Sequence, residues 1–502
     1  MPLPVLRPYQ ERDLNAIRGA FKQHQAVLLT QPCGAGKGTL ASFIVQSAAS
    51  RGKKVVFLVD RRTLVNDMAD RLTRLGLEFG VIMGDDKRRA PWLPVHVASI
   101  DTVTRRENVP FADLLIVDEA RFSSAPKWKK VFDRYPNAKI LGMDATPCRL
   151  DGIGLGRHSG GIFDHLVVGP TAQELIDQGY LVRSHVIAPP PVAAPSKMVG
   201  GEFNAGAVSE ACDKNQIIGD MIRLWERHSH GWKTVAFGAD KKHGTHVAER
   251  FREAGIEATT VFDDTPETER RKIWDDFDHG SLKIIASVGV VSYGWDHSIC
   301  KCVLDLAHTM SLSAAIQKWA RGSRPHKGHD HFVLIDQVGN IDRRSALAPN
   351  GFGFYEDDRQ WNLEGKAIRM PDEDDDTSPG IIQCSRCYHR FRAGKKACPG
   401  CGYVFPVRER QIIEDRDKEL VVREREARIA KEKAEAKAEA IANWKSRMND
   451  DDRRRKYEEW KRIGTERNYK PMWPKVTYRA VFGKWPSKMW DIPTESIAEE
   501  FA

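Results

Sequence analysis

No apolar run approaches the roughly 18 residues that cross a membrane. The first residues, MPLPVLRPYQERD, lack the apolar stretch of a secretory signal. The sequence therefore predicts no membrane segment and a cytoplasmic chain. Cysteine is scarce, with nine in 502 residues, and five of them (Cys33, Cys148, Cys212, Cys300, Cys302) are scattered. At this length that excludes a disulfide framework. No solenoid period repeats. No nuclease motif is evident, so cleavage of a nucleic acid would need a partner.

What is present is apolar surface in a regular alternation. Apolar residues make up 41% and charged residues 29%, enough for about three domains with real cores. AVLLT, KVVFLVD, VHVASI, LLIVDEA and KILGMDA read as buried strands separated by amphipathic stretches. After a Pro/Gly/Ala-rich connection, KTVAFGAD, ATTVF, LKIIASV, CVLDLA and HFVLID repeat the pattern. Strands apolar on both faces and alternating with helices predict an α/β fold of two tandem parallel sheets, over residues 1–165 and 166–365. An acidic linker follows at 366–380, then a cysteine-rich module at 381–406. A long helix dense in Ala, Glu, Lys and Arg is expected at 407–450, and a basic, aromatic module at 451–502.

TQPCGAGKGTL, residues 30–40, stands between a strand and a helix, where a phosphate loop belongs. Its glycines let backbone N–H groups curl around phosphate oxygens, and the helix N-terminus adds its dipole. The candidate nucleotide contacts are Gly34, Ala35, Gly36, Lys37, Gly38 and Thr39. Lys37 would reach the β- and γ-phosphates. Gly38 stands where a magnesium-holding hydroxyl is usual, and Thr39 comes one place late. Downstream, LLIVDEA ends in Asp118-Glu119 at the carboxyl edge of a strand, where ligands bind in parallel sheets. Asp118 would hold Mg²⁺ through water, and Glu119 would orient and deprotonate an attacking water.

In their order these segments resemble the superfamily-2 DNA helicases and translocases of the DEAD/DEAH-box class, over residues 5–340. LRPYQ resembles the adenine-reading segment and implies that role for Arg7 and Gln10. LVDRRTLVNDM and VASIDTV resemble motifs that grip the nucleic-acid strand. DEAR stands where DEAH or DEAD is expected, with Arg121 as the departure. GMDATPCRLDGIGL resembles the segment coupling hydrolysis to movement, with Asp144 where Ser or Thr is usual. VVSYGWD places Gly294 and Asp296 as in the fifth motif. QKWARGSR resembles the sixth, with Ala320 for glycine, and implies that Gln317, Arg321 and Arg324 face the nucleotide from the second domain. The resemblance implies two RecA-like domains, ATP as the nucleotide, Mg²⁺ and DNA. RNA stays open, because much of such a grip is to the backbone. Replication, repair or recombination proteins are candidate partners.

CSRC and CPGC, ten residues apart, place Cys384, Cys387, Cys398 and Cys401 as a tetrahedral zinc ribbon. Four thiolates leave no open position, so the zinc would be structural. In the tail, 453–488 holds twelve Lys or Arg against three acids, a difference of 12 − 3 = +9, equal to the net charge of the whole chain. Its aromatics read equally as base-stacking platforms or as the core of a small helical module. NYKPMWPKVTYRAVFGKWP resembles the tail of RadD-like bacterial and phage helicases. Two further readings stay open beside the motor: an ATP-gated clamp that hydrolyses poorly, drawn from the four departures Gly38, Arg121, Asp144 and Ala320, and the motor subunit of a restriction-type complex.

Overall fold

The structure, a computed structural model, describes residues 5–149, 152–229, 231–289, 299–345, 348, 351–365, 381–405, 449–466 and 469–491. The acidic linker, nearly all of the expected charged helix, and Gly294 and Asp296 lie outside these. The chain divides into two compact units, Met1–Phe405 and Pro406–Ala502.

The first sheet has seven parallel strands: β1 (Ala26–Thr30), β2 (Val55–Val59), β3 (Gly80–Ile82), β4 (Val95–Ser99), β5 (Leu114–Asp118), β6 (Lys139–Asp144) and β7 (His165–Val168), in the order β3-β4-β2-β5-β6-β1-β7. Alternate residues serve opposite faces. Val27 and Leu29 join Leu40, Val45 and Phe57 on one side, while Ala26 and Leu28 join Leu115, Val117 and Trp128 on the other. Helices α1 (Pro8–Ala20), α2 (Lys37–Ala49), α3 (Arg62–Arg74), α4 (Ile100–Arg105) and α5 (Pro126–Phe132) accompany it.

The second sheet has six parallel strands, β8 (Arg183–Ile187), β11 (Thr234–Phe237), β12 (Ala258–Val261), β13 (Ile284–Ser287), β14 (Cys302–Asp305) and β15 (His331–Asp336), ordered β12-β13-β11-β14-β15-β8. A minor hairpin, β9 (Met198–Val199) and β10 (Glu202–Phe203), stands apart from it. Helix α6 (Ala172–Asp177) precedes β8. α7 (Ala205–Cys212), α8 (Asn215–Ser229), α9 (Lys241–Glu253), α10 (Glu267–His279) and α11 (Leu312–Trp319) come later.

Every strand named from the sequence is present. The sequence does not announce β3, β7 or β8, which are short or carry polar residues. Nor does it announce that the cysteine module is not a free-standing appendage. Its strands β16 (Ile381–Gln383) and β17 (His389–Arg392) pair antiparallel, and β17 pairs antiparallel with β8. The hairpin thus supplies the last two strands of the second sheet.

Between β15 and that hairpin the chain returns to the first domain. The Gly156 amide donates to the Leu363 carbonyl at 3.0 Å, and Leu363 packs beside the cluster of Leu155 and Phe163. The Tyr355 hydroxyl donates to the Cys33 carbonyl at 3.1 Å. Arg359 stiffens the segment by donating to the carbonyls of Phe352, Phe354 and Asp357 at 2.7–2.8 Å.

In the second unit, helices Asp450–Glu466 and Trp473–Phe482 pack through Tyr457 and Tyr478, which are fully buried, with Trp460, Phe482 and Trp490 against them.

Candidate nucleotide site and metal centre

Gly34 and Gly36 take the left-handed conformation, φ +84° and +83°, which costs glycine least, and α2 begins at Lys37. Lys37 Nζ lies inside the loop, donating to the carbonyls of Gln31 (3.0 Å) and Pro32 (3.2 Å). Gln10 Nε2 donates to the carbonyls of Ala35 (3.2 Å) and Gly36 (3.1 Å), and the Tyr9 hydroxyl to Ala35 at 2.7 Å. Arg7 lies 4.5 Å over the ring of Tyr180, which comes from the approach to the second sheet. Gln10 therefore stands against the loop, and Arg7 beside Tyr9 and Tyr180, the latter a partner that the sequence did not single out. Thr39 continues α2, its amide bonded to Gly36. A Cβ on Gly38 would meet the Arg71 guanidinium at 3.2 Å.

The second domain covers this loop. A Cβ on Gly34 would lie 2.8 Å from Leu181 Cδ2, 3.6 Å from Ser323 Oγ and 3.9 Å from Arg324 Cγ. Arg321 acts electrostatically on both Cys33 and Glu119. The arginine pair, the loop and the acidic strand end are thus brought together.

Asp118 closes β5 and accepts the Glu119 amide at 3.0 Å. Enclosure raises its carboxyl to about 7, and repulsion from Glu119 adds to this against the opposing pull of Lys37. Burial also pushes the Glu119 pKa up, but the charges of Arg121, Lys37 and Arg321 outweigh it and leave the group lowered. Two neighbouring carboxyls are thus pushed in opposite directions by their surroundings. Glu119 itself is left-handed, φ +53°, uncommon outside glycine.

Two departures from the helicase pattern meet here. Arg121 Nη1 donates to Glu119 and, at 2.9 Å, to Asp144 Oδ1, while Nη2 donates to Gln317 Oε1 at 3.1 Å. Gln317 Nε2 donates to Glu119 Oε2 at 3.1 Å. The signal for this pairing was in the sequence, as opposite charges at two departing positions. Ala320 caps α11 and is buried.

The four cysteines converge. Sγ–Sγ distances are 3.7 Å for Cys384–Cys401 and 3.6 Å for Cys387–Cys398, and all four atoms lie within 4.8 Å of one another. Bonds of about 2.3 Å at tetrahedral angles put thiolates about 3.8 Å apart, so the set fits zinc. His389 stacks on His185 at 3.7 Å and keeps Nδ1 3.9 Å from Cys398 Sγ; it supports the site rather than joining it. Of the basic residues around the ribbon, Arg390 pairs with Asp342 and Arg392 with Asp357, which leaves them less charge for an external phosphate. In the tail the aromatics divide between core and surface. Tyr457 and Tyr478 are core, while Trp485 and Tyr469 are exposed, with Arg479 4.7 Å over the Trp485 ring. No helix among the described residues is long and apolar enough to cross a membrane.

Comparison with known proteins falls on the same elements. Residues 3–149 match the family "Type III restriction enzyme, res subunit", and 213–326 match "Helicase conserved C-terminal domain". The chain is 25% identical over 390 residues to a 51.5 kDa protein of a Lactococcus phage, covering 76% of this chain and 79% of the phage protein. It is 26% identical over 383 residues to the putative ATP-dependent helicase IRC3 of Saccharomyces cerevisiae, covering 72% of this chain and 55% of the yeast protein. The fold matches a fragment of a putative HsdR subunit of a type I restriction enzyme from Vibrio vulnificus, with TM-score 0.51 and 20% identity over 67% of this chain and 64% of that one. Ordered motifs, two parallel sheets and both family models agree, and the chain belongs to the superfamily-2 helicases of the DEAD/DEAH-box type.

Proposed function

We propose that the chain is an ATP-dependent motor that moves along or remodels DNA. The observation that carries this is the convergence of Lys37, Asp118 and Glu119 from one sheet with Gln317, Arg321 and Arg324 from the next. A γ-phosphoryl transition state spreads negative charge over its oxygens, and arginine forks neutralise it well. With those arginines on a separate sheet, hydrolysis depends on how the two sheets meet. Cycles of that meeting can step the protein along a strand.

In this reading Arg7 and Gln10 read the base, Gly34 to Thr39 cradle the phosphates, and Glu119 aligns the attacking water. Asp118 would hold Mg²⁺, which supplies charge neutralisation at the phosphates. Gly294 and Asp296 keep the roles implied by their motif. Zinc at Cys384, Cys387, Cys398 and Cys401 would be structural. The working division is two RecA-like domains (1–165, 166–365), linker, ribbon, charged helix and tail. The tail's charge and its exposed Trp485 and Tyr469 favour contact with single-stranded segments. Its FGKWP element underlies the RadD-like affiliation, and relatives of that kind direct the search for partners to repair and recombination proteins.

The test is steady-state ATPase with and without single- and double-stranded DNA, with Glu119→Gln as the blank. Hydrolysis that rises on adding DNA is expected. A wild-type rate equal to the blank at saturating ATP, Mg²⁺ and DNA would sink the motor and favour the clamp.

A further inference from the structure

We infer that Arg121 is a positioning residue that ties the orientation of Glu119 to the seating of α11, with Asp144 as the buried countercharge that makes an arginine tenable there. This rests on the ATPase reading above and adds to it a link between the water-aligning carboxylate and the second domain. The Arg121 side chain is 6% exposed and that of Asp144 is fully buried. A cation so enclosed needs opposite charge close by; Glu119 supplies a carboxylate on one side and Asp144 a second on the other, where a Ser or Thr would offer only a hydroxyl dipole. The two departures from the helicase pattern are therefore one paired change.

Geometry says why the cation is an arginine. Its guanidinium addresses three acceptors at once: Glu119, Asp144 and Gln317. Histidine has at most two donors, and the lysine ammonium is a compact point charge without the planar fork. Gln317 then closes a ring by donating back to Glu119 at 3.1 Å. Asp144 also anchors the backbone. It accepts the Arg121 amide at 2.8 Å, fixing the turn just after left-handed Glu119, and the Thr146 amide at 2.8 Å. Thr146 Oγ1 in turn meets Ser313 Oγ at 2.5 Å. Ser313 and Gln317 are one turn apart on the same side of α11. A displacement of α11 thus reaches Glu119 by two routes, directly through the Arg121–Gln317–Glu119 ring and through Asp144.

The experiment compares the full chain with Arg121→Lys, Asp144→Thr and the double variant R121H/D144T, in DNA-stimulated ATPase and thermal melting, with Glu119→Gln as the blank. Lysine keeps the buried ion pair with Asp144 but loses the fork. Arg121→Lys should therefore melt near the wild type and keep KM for ATP within about twofold, while kcat falls about tenfold or more, the pattern of a lost transition-state alignment. R121H/D144T, a neutral pair restoring the family pattern, should regain most of the kcat lost in Asp144→Thr alone. Wild-type kcat in Arg121→Lys would overturn the inference, leaving the pair a matter of charge balance. A double variant no faster than Asp144→Thr would overturn it equally, and decides alone if Arg121→Lys does not fold. A wild-type chain no faster than Glu119→Gln would overturn the ATPase reading and this inference with it, whereas an active wild type with an equally active Arg121→Lys overturns only this one.

Discussion

Stripping the metal from the cysteine cluster should unfold a defined piece of the second sheet and leave the rest standing. Residues 381–405 number 25. Apart from the cysteines, the module's apolar core is Phe391 with partly buried Ile382, Tyr403 and Phe405, worth about 2 kcal/mol each. A core of that size is too small to hold the module alone, and a structural zinc in such modules supplies about 10–16 kcal/mol of folding free energy. On the sheet side the hairpin is held by two residue pairs, His389 with Ile187 and Arg390 with Val186. The Ala188 amide also donates to Tyr388, and Gln383 Nε2 to the Ala188 carbonyl. Strand β8 keeps its five pairs with β15 whatever the hairpin does. Hydrogen exchange before and after a strong zinc chelator reads this out. Amides of 384–405, and that of Ala188, should lose protection, while those of β11, β14 and β15 should keep it. Protection retained in 384–405 of demonstrably metal-free protein would refute the zinc argument. Simultaneous opening of β14 and β15 would refute the separability of the hairpin.

Gly38→Thr should fold, because its Cβ would meet only the far end of the flexible Arg71 side chain and threonine is no worse than glycine in a helix. The Mg²⁺ concentration for half-maximal ATPase should drop several-fold; an unchanged value would mean that this position has no part in holding the metal. In the tail, Tyr478→Ala removes a fully buried ring at about 3–5 kcal/mol, as much as a core this small supplies, so proteolysis should cut within 449–491. Trp485→Ala, at a ring 48% exposed, should leave stability unchanged and weaken single-strand binding by about 1–3 kcal/mol. Equal affinity would return that ring to a packing role.

The parts of this fold legible in the sequence are those where one signal suffices. Buried parallel strands are apolar on both faces, so AVLLT and HFVLID declare themselves without context. Strand β8, RSHVI, does not, because its burial depends on β15 on one side and the ribbon on the other. The phosphate loop and the acidic strand end are local motifs and were visible. The partnership of Arg121 with Asp144 spans 23 residues and two strand ends, and taken one at a time each residue looked like decay. Tyr180 and Tyr355 acquire their places against the loop only through packing between domains.

The return of residues 351–365 to the first domain gives the two sheets a second attachment. One runs through the segment between β7 and β8, the other through Leu363 against Gly156. Two bodies joined at a single point can swivel in any direction, while two bodies joined at separated points behave more like a door on a pair of hinges. For these sheets to separate, the segment held by Arg359 must either travel with the first domain or give up the Leu363–Gly156 bond.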